Sequence, residues 1–352
     1  MANFDDMKLA VEALTGGKNT VILDDMDMPS VMVRWEKQLI SDIMTGGSAQ
    51  VHPGSIVNNV AKTMYVGKYQ GIVLNERAYS LPFKDPRVYI THDQAVAACR
   101  NKKTTGGAWN IMPYALWSEI ALWCRKNGTM PRGNNNYGAD VSYAHEKGVP
   151  SCAPDGNGRT LRTGTGSGPA TWNHNWLPDG IADLNGNVWE WCTGMRLVDG
   201  EIQIIPNANV MDPDVSLAAN SSAWRAINAS GQLVNPGSEN TLHYDWVGGA
   251  ITLKAGAATV TDAGRYTDYN AIGAASGLTV PELAKALLIY PDTPGGDYGG
   301  DGHWMNTSGE RLPLCGGAWV HAADAGVFGI DLNYPRSYSF GSIGFRPAYC
   351  EL

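Results

Sequence analysis

Cysteine and histidine are the residues of this chain best suited to metal or redox chemistry. The six cysteines are Cys99, Cys124, Cys152, Cys192, Cys315 and Cys350. None of them forms a C-x-x-C pair, and six cysteines are too few to staple a fold of 352 residues. The histidines are scattered without the spacing of metal ligands: His52, His92, His145, His174, His243, His303 and His321. We therefore expect buried free thiols and neither a catalytic nor a metal site built from these residues.

A further candidate for chemistry is Glu190, in the motif GIADLNGNVWEW at residues 180–191. Gly186 and Asn187 are typical of a tight turn, and a strand with large side chains on both faces is predicted to follow it. In the simpler interpretation Glu190 is buried and accepts hydrogen bonds from loop backbone, because a buried acid is rarely left unpaired. The alternative is a hard-cation site, such as one for calcium, in which Glu190 and turn carbonyls supply oxygen ligands.

The segment 314–349 alternates recognisable motifs with residues that follow no pattern. We call the motifs the frame: GGAW (316–319), AGVF (325–328), Leu332, Arg336-Ser337 and IGFRPAY (343–349). Between Val320 and Ser342, which we call the variable segment, there is no Lys, Glu, Gln, Met or Trp. Free replacement of either adenine in the asparagine codon AAC excludes the same five residue types. The gap therefore indicates randomised codons within a fixed scaffold, and hence a binding surface.

The residues of the variable segment that lie between the frame motifs are the ones that we predict to contact a ligand. These candidate binding positions are Val320, His321, Ala323, Asp324, Gly329, Asp331, Asn333, Tyr334, Tyr338, Phe340, Gly341 and Ser342. Their aromatic residues offer rigid area, and their small polar residues offer adaptable hydrogen bonding, as in antibody paratopes. The frame side chains are predicted to be core, while Arg336 and Arg346 hydrogen-bond loop carbonyls. An ordinary surface loop without a designated partner is the alternative.

Composition excludes several classes of partner. The net charge of −8 and the pI of about 5.3 argue against nucleic acid or anionic membranes as partners. No segment has the apolar length of a membrane span, and the N-terminus lacks an apolar run of signal-peptide length. We expect no membrane insertion, with synthesis in a cytoplasm. The sequence leaves the oligomeric state open.

The elements that must position these residues are both helices and strands. The apolar periodicity and the end signals predict helices over 4–14, His92–Lys102, Pro113 to a stop at Gly128, and Val280–Leu288. The strand-like runs are Thr20–Leu23, Ser30–Trp35, Met64–Leu74, Glu201–Ile205 and Ala250–Leu253. We predict one α+β domain over 1–352. It has an N-terminal helix and strands in 1–60, a loop-rich insertion at 195–312, and the variable region with its frame at 314–350.

The order of these landmarks resembles the formylglycine-generating-enzyme-like, or sulfatase-modifying-factor, version of the C-type lectin fold. The resemblance rests on the helix from Pro113 to Gly128, on GIADLNGNVWEWC, and on GGAW followed by GFRPAY. It covers roughly residues 60–195 and 310–350 and implies that fold for this chain. Some members hold calcium near the NVWEW strand, which by position would fall on Gly186, Val188 and Glu190. We predict no required cofactor.

The chemistry of those enzymes does not carry over to this chain. They bind copper through a pair of cysteines between the GGAW and GFR strands, and the equivalent window here, the variable segment, has no cysteine. A related group of ergothioneine-synthesis enzymes uses a three-histidine iron site, and the histidines of this chain lack that spacing. We therefore expect no enzymatic activity. The alternative is a metal-dependent oxidase of this type with a different centre, which metal analysis and an oxygen-consumption assay would detect.

The chain is also similar to the variable proteins of diversity-generating retroelements. Those proteins use the same fold and end in a GGxW … AGVF … L … RS … GFRP frame, which matches the frame of this chain. In that family a reverse transcriptase copies a template and mutates its adenines, so AAC codons are randomised. The resemblance implies non-catalytic recognition of a cell-surface protein or glycan through the candidate binding positions. It also implies assembly into a phage particle or display through a partner.

Overall fold

The computed structural model describes residues 4–352. Its α-helices are α1 (Phe4–Thr15), α2 (Ile40–Ile43), α3 (His92–Arg100), α4 (Tyr114–Asn127) and α5 (Glu282–Ala286). None of the helices in this range is long and apolar enough to cross a bilayer.

The strands are short and fall into two groups along the chain. The first group is β1 (Asn19–Leu23), β2 (Pro29–Trp35), β3 (Ile56–Val57), β4 (Val60–Ala61), β5 (Met64–Gly67), β6 (Gly71–Leu74), β7 (Arg77–Ser80), β8 (Gly107–Ile111) and β9 (Trp189–Trp191). The second group is β10 (Met195–Val198), β11 (Glu201–Ile204), β12 (Arg225–Ile227), β13 (Leu233–Val234), β14 (Leu242–Val247), β15 (Ala250–Ala255), β16 (Arg265–Asp268), β17 (Gly273–Ala274), β18 (Gly302–Met305), β19 (Glu310–Arg311), β20 (Leu314–Cys315), β21 (Ile330–Leu332), β22 (Ile343–Phe345) and β23 (Pro347–Glu351).

Local sequence signals define the ends of α3 and α4. Thr91 caps α3, because its hydroxyl accepts a hydrogen bond from the Gln94 backbone at 3.3 Å while the Gln94 side chain accepts one from the Thr91 backbone at 3.0 Å. Helix α4 begins directly after Pro113 and ends at Gly128, whose φ of 67° lies in the left-handed region that favours glycine. Both helices are confirmed, although α3 ends at Arg100, two residues earlier than expected.

Three sheets contain most of the strands. A five-stranded sheet has the order β1-β2-β5-β23-β8, which places the N-terminal strands beside the last strand of the chain. An eight-stranded sheet is formed by β10 to β15 together with β17 and β19, and therefore lies within 195–311. The third sheet has six strands in the order β16-β18-β21-β20-β9-β22. This six-stranded sheet holds the NVWEW strand at β9 and both strands that border the variable segment, β20 and β22.

Two predicted elements differ from the structure. The single run expected over Met64–Leu74 is two strands, because β5 belongs to the five-stranded sheet and β6 forms a hairpin with β7. Between them lies Gln70, which is buried and donates its amide to the carbonyl of Val188 at 3.0 Å, so the chain leaves the sheet there. The helix expected over Val280–Leu288 shrinks to α5 and is followed by Leu288 with a φ of 52°.

The architecture is a sheet-rich α+β fold with few helices, as the sequence predicts. Its buried apolar side chains form two contiguous clusters. The first cluster surrounds α4 and the eight-stranded sheet and includes Val327, Phe328 and Leu332 of the frame. The second lies around β8, β9 and β22 and includes Ile343 and Phe345. The frame is thus embedded in both clusters, while the proposed division into a domain and an insertion stays a prediction.

Candidate functional site

The variable segment is fixed to the six-stranded sheet at three places. The chain leaves the sheet after β20, re-enters it within the variable segment as β21, and joins it again at β22, directly after the segment. Strand β21 lies between β18 and β20, parallel to the first and antiparallel to the second. Strand β22 runs parallel to β9, with Ile343 opposite Trp189. The variable segment therefore consists of two loops, 320–329 and 333–342, joined by one strand inside the sheet.

Frame side chains anchor these loops in the protein core. Val327, Phe328, Leu332 and Phe345 are completely or almost completely buried, as predicted. The Phe328 ring packs edge to face on Tyr298, with ring centroids 4.8 Å apart. Trp319 is the exception, because it is only half-buried at the edge of the second cluster. The expectation that Trp319 is a core residue is therefore wrong.

Three aromatic residues of the second loop form what we call the aromatic stack. The rings of Tyr334 and Tyr338 are parallel within 12°, with centroids 4.1 Å apart. Tyr338 and Phe340 are also parallel within 12°, with centroids 6.5 Å apart. Both tyrosines are half-buried against the second cluster, whereas Phe340 is 55% exposed. The aromatic stack is thus rigid on its inner side and open to solvent at its outer end.

Other candidate binding positions are exposed to very different degrees. Val320 and Ala323 are exposed, while Asp324 and Asn333 are half-buried. His321 points inward, because its ring lies 5.0 Å from that of Trp189 and its Nδ1 is 3.2 Å from the Ala318 backbone nitrogen. Burial lowers the pKa of His321. A neutral His321 therefore supports the first loop as well as lining its surface.

Four candidate binding positions are buried, so the expectation that they lie on the surface is wrong. They are Gly329, Asp331, Gly341 and Ser342. Asp331 is inside the sheet because β21 lies between two other strands. Gly329 and Ser342 are tied down through their carbonyls, which accept hydrogen bonds from the backbones of Gly316 and Trp189. Gly341 is covered by the side chain of Tyr89.

Two buried carboxyl groups, Asp331 within the variable segment and Asp301 outside it, support the exposed loops. Burial raises the pKa of Asp331 to about 7, and its Oδ1 accepts a hydrogen bond from the Asn333 backbone at 2.9 Å. Burial also raises the pKa of Asp301 to about 8. Asp301 Oδ2 accepts a hydrogen bond from the Phe328 backbone at 2.7 Å, and its carboxyl group packs on Gly326. Asp301 thus anchors the AGVF motif from outside the variable segment.

We expect the variant Asp301→Asn to gain stability relative to the wild type as the pH rises. The folded protein keeps the Asp301 proton up to a pKa of about 8, whereas the unfolded chain releases it near 3.8. The unfolded state therefore binds fewer protons between these values, and the wild type loses stability over that window. The measurement is urea denaturation of both proteins at about pH 5, 6.5 and 8.

Asp155→Asn is the control for that experiment. Hydrogen bonds from the Arg159 backbone and side chain hold the pKa of Asp155 low, so this residue stays ionised over the same pH range. We expect its stability difference from the wild type to be constant with pH. A constant difference for Asp301→Asn as well would show that the Asp301 carboxyl group is already ionised at pH 5.

Arg336 links the second loop to the rest of the fold. Its Nε and Nη2 donate to both carboxylate oxygens of Glu310, at 2.6 and 2.8 Å. Its Nη1 donates to the Leu217 carbonyl at 3.2 Å and to Asp93 at 3.1 Å. The expected bond to a loop carbonyl is therefore present, but the two-pronged bond to Glu310 is shorter.

Glu190 and Arg346 form a fully buried ion pair. Arg346 Nη2 and Nε donate to the two carboxylate oxygens of Glu190, at 2.6 and 2.9 Å. The remaining Arg346 donors reach the carbonyls of Gly67, Lys68 and Ala182, which confirms the expectation for Arg346. Glu190 also accepts a hydrogen bond from the side chain of Gln70. The expectation that Glu190 is bonded to loop backbone is wrong, because side chains are its partners.

These contacts bear on the calcium ligands that the family resemblance implies. A calcium ion needs free carboxylate and carbonyl oxygens, and both oxygens of Glu190 are already bound by Arg346. The carbonyl of Val188 accepts the Gln70 amide at 3.0 Å. The donor set around Glu190 does not fit a cation, since the Arg346 guanidinium lies where the positive charge would be.

The cysteines do not form a metal centre of the formylglycine-generating type. All are free, and all except the half-buried Cys152 are buried, as predicted. The antiparallel pairing of β9 with β20 brings the Cys192 thiol beside that of Cys315. Burial, together with this contact, raises the pKa of Cys192 well above its ordinary value. A protonated thiol in the core is a poor copper ligand, so this pair does not fit the chemistry of those enzymes.

One residue beside the aromatic stack, Tyr89, was not predicted from the sequence. Tyr89, in the loop between β7 and α3, is 65% exposed, and its backbone nitrogen donates to the Phe340 carbonyl at 3.0 Å. The loop contains two prolines and no apolar periodicity, so no local pattern predicts where it lies. Tyr89 lies at this surface through a contact with the variable segment, some 250 residues away.

Comparison with known proteins gives a likeness among solved structures alone. No protein-family model matches the chain, and no curated protein matches it. Among solved structures, the chain is similar to a variable protein. That protein is Treponema denticola variable protein 1, with 13% sequence identity, a TM-score of 0.34, and coverage of 95% of this chain and 99% of that chain. A TM-score of this size does not establish a common fold, so the C-type lectin assignment stays a prediction.

Proposed function

We propose that this chain is a non-catalytic binding protein of the diversity-generating-retroelement class, built on a C-type lectin fold. Its variable segment would meet a cell-surface target. The observation that carries the proposal is the aromatic stack, whose parallel rings end in the exposed Phe340. Aromatic side chains that are rigid before binding lose little entropy when a partner covers them.

The backbone beneath the aromatic stack is held without help from the stacked side chains. The carbonyls of Tyr334, Arg336 and Phe340 accept hydrogen bonds from backbone nitrogens of Leu312, His92 and Tyr89. These bonds are the same whichever side chains stand at 334 and 340. Substitution of the stack residues therefore changes the presented chemistry while leaving the path of the loop in place, which is what a diversified surface requires.

A protein target fits the second loop better than a glycan. The two exposed residues of this loop are Ser337 and Phe340, and the half-buried Tyr334 and Tyr338 lie beneath Phe340 in the aromatic stack, so the loop presents an aromatic centre beside small polar groups. An apolar aromatic centre is typical of protein interfaces. We further propose that the chain is assembled into a phage particle or is displayed through a partner protein. It would need no cofactor.

The DNA beside the gene tests the diversification part of this proposal. We expect a near-copy of codons 316–349 next to a reverse-transcriptase gene, with AAC at codons that encode the exposed residues Val320, Tyr338 and Phe340. The codons for Val327, Phe328 and Phe345 should lack AAC, because these side chains fill the core. Sequencing of the locus is the measurement. AAC codons spread over core and surface positions alike, or the absence of any template copy, would contradict the proposal.

A further inference from the structure

Tyr89 extends the exposed aromatic surface beyond the variable segment. Its backbone is bonded to Phe340, the outermost ring of the aromatic stack, and its side chain lies against the next residue, Gly341. Tyr89 and Phe340 are both more than half exposed. A fixed residue and a candidate binding position thus lie side by side on one surface.

The loop holds Tyr89 in a conformation that tyrosine rarely adopts by itself. Its φ is 53°, in the left-handed region where a bulky side chain is strained. The bond from Tyr89 to Phe340 fixes one point of the loop, and the Ile90 carbonyl accepts the Trp191 indole N–H at 3.1 Å. On the other side, Asp85 accepts two hydrogen bonds of 2.8 Å from Arg162. The surrounding fold therefore displays Tyr89 against its own backbone preference.

The Tyr89 ring occupies space that a side chain at position 341 would need. A Cβ atom at position 341 would lie 2.7 Å from the Tyr89 hydroxyl oxygen and 3.0 Å from its Cζ. The φ of Gly341 lies outside the left-handed region, so its backbone accepts other residues. Since the obstacle is the free end of an exposed side chain, a substitution at 341 would displace the Tyr89 ring rather than the backbone.

We propose that Tyr89 is part of the surface that binds the protein target, and that the residue at position 341 sets where its ring lies. The inference rests on the proposed function of the variable segment. Glycine at 341 lets the Tyr89 ring lie down over the loop, beside Phe340. A larger residue turns the ring away from the loop. Position 341 is then a positioning residue, and a change at one variable codon moves an aromatic group that the codon does not encode.

The first test needs no target. Protein labelled with 3-fluorotyrosine is studied by ¹⁹F NMR, and the Tyr89 resonance is assigned by its loss in Tyr89→Phe. We expect Gly341→Ser to shift this resonance while the signals of core tyrosines such as Tyr244 stay in place. Val320→Ser, a substitution in the other loop, is the matched control and should leave the Tyr89 signal unchanged. An unchanged Tyr89 signal in Gly341→Ser would overturn the positioning role.

The second test measures binding with a defined probe. A random peptide library is panned on the wild type, with counter-selection on the variant that has alanine at 334, 338 and 340. We expect Tyr89→Ala to weaken the selected peptides by about tenfold or more. Phe83→Ala is the matched control, because Phe83 is 68% exposed and has a φ of 54° in the same loop. Its backbone bonds to Thr165 instead of the variable segment, so its loss should change affinity less than about twofold.

The outcomes separate this inference from the function on which it rests. If Tyr89→Ala binds the peptides as the wild type does, Tyr89 is not part of the surface and only the further inference fails. If no peptide survives the counter-selection, the aromatic stack does not bind, and the proposed function and this inference fail together. Melting curves of both alanine variants ensure that a loss of affinity is not a loss of fold.

Discussion

Replacement of Tyr334, Tyr338 and Phe340 together by alanine will reduce target binding by about 100-fold or more. Interface aromatics of this kind contribute roughly 2 kcal/mol or more each when they are hot spots, and their effects are not additive. The parallel packing of the three rings orders them before the target arrives. Binding to the isolated target protein by biolayer interferometry is the measurement.

The same variant should stay folded, with a modest loss of stability. Phe340 is mostly exposed, whereas Tyr334 and Tyr338 pack in part on the second cluster, so we expect a loss of about 1–3 kcal/mol. A control variant replaces three exposed apolar residues of the region 195–312, Leu233, Val247 and Val260, and should bind as the wild type does. Unchanged binding by the aromatic variant, or its unfolding, would show that the stack is structural rather than a binding surface.

Arg346→Met will destabilise the protein by about 3–5 kcal/mol, the range observed when one partner of a buried ion pair is removed. The substitution leaves the Glu190 carboxylate in the core without its guanidinium. Four carbonyls also lose a donor, those of Gly67, Lys68, Ala182 and Asp183. Burial already raises the pKa of Glu190, and loss of Arg346 raises it further. The variant should therefore lose additional stability as the pH rises through the new pKa. Urea denaturation at several pH values measures both effects.

Two further variants show whether the unpaired charge is the cause. Arg346→Met combined with Glu190→Gln should recover part of the loss, because the buried charge is then removed together with its partner. Arg34→Ala breaks an ion pair with Glu36 in which both side chains are about half exposed, and it should change stability by no more than roughly 0.5 kcal/mol. If Arg346→Met were as mild as Arg34→Ala, the buried pair would not be a main contributor to the stability of the fold.

Local signals in the sequence were enough to predict some elements of the fold. Pro113 and Gly128 mark the two ends of α4 because proline and glycine act on the backbone at their own positions. The capping residues of α3 act over three positions in the same way. In the segment 314–349, the assignment of the large apolar frame residues to the core correctly predicted the buried Val327, Phe328 and Phe345.

Contacts between distant parts of the chain could not be predicted from local sequence patterns. Glu190 and Arg346 are 156 residues apart, so no local pattern could show that the acid pairs with a side chain rather than with loop backbone. Asp331 is buried because β18 and β20 flank β21, and a polar residue in an irregular run gives no sign of such neighbours. Tyr89 is beside Phe340 through a backbone hydrogen bond between loops 251 residues apart.

Strand β21 has a consequence for how new specificities would arise. It runs through the middle of the window that the proposed mutagenesis rewrites, and it carries Asp331 one residue after Ile330 in the core. A mutated protein with a substitution at Gly329 or Asp331 must therefore still fold before its affinity for a target can matter. The number of mutated proteins that fold is therefore smaller than the number of codon combinations. The substitutions that remain fall in two exposed loops, 320–329 and 333–342, which can vary almost independently. Selection should favour templates that keep adenine out of the codons for this strand.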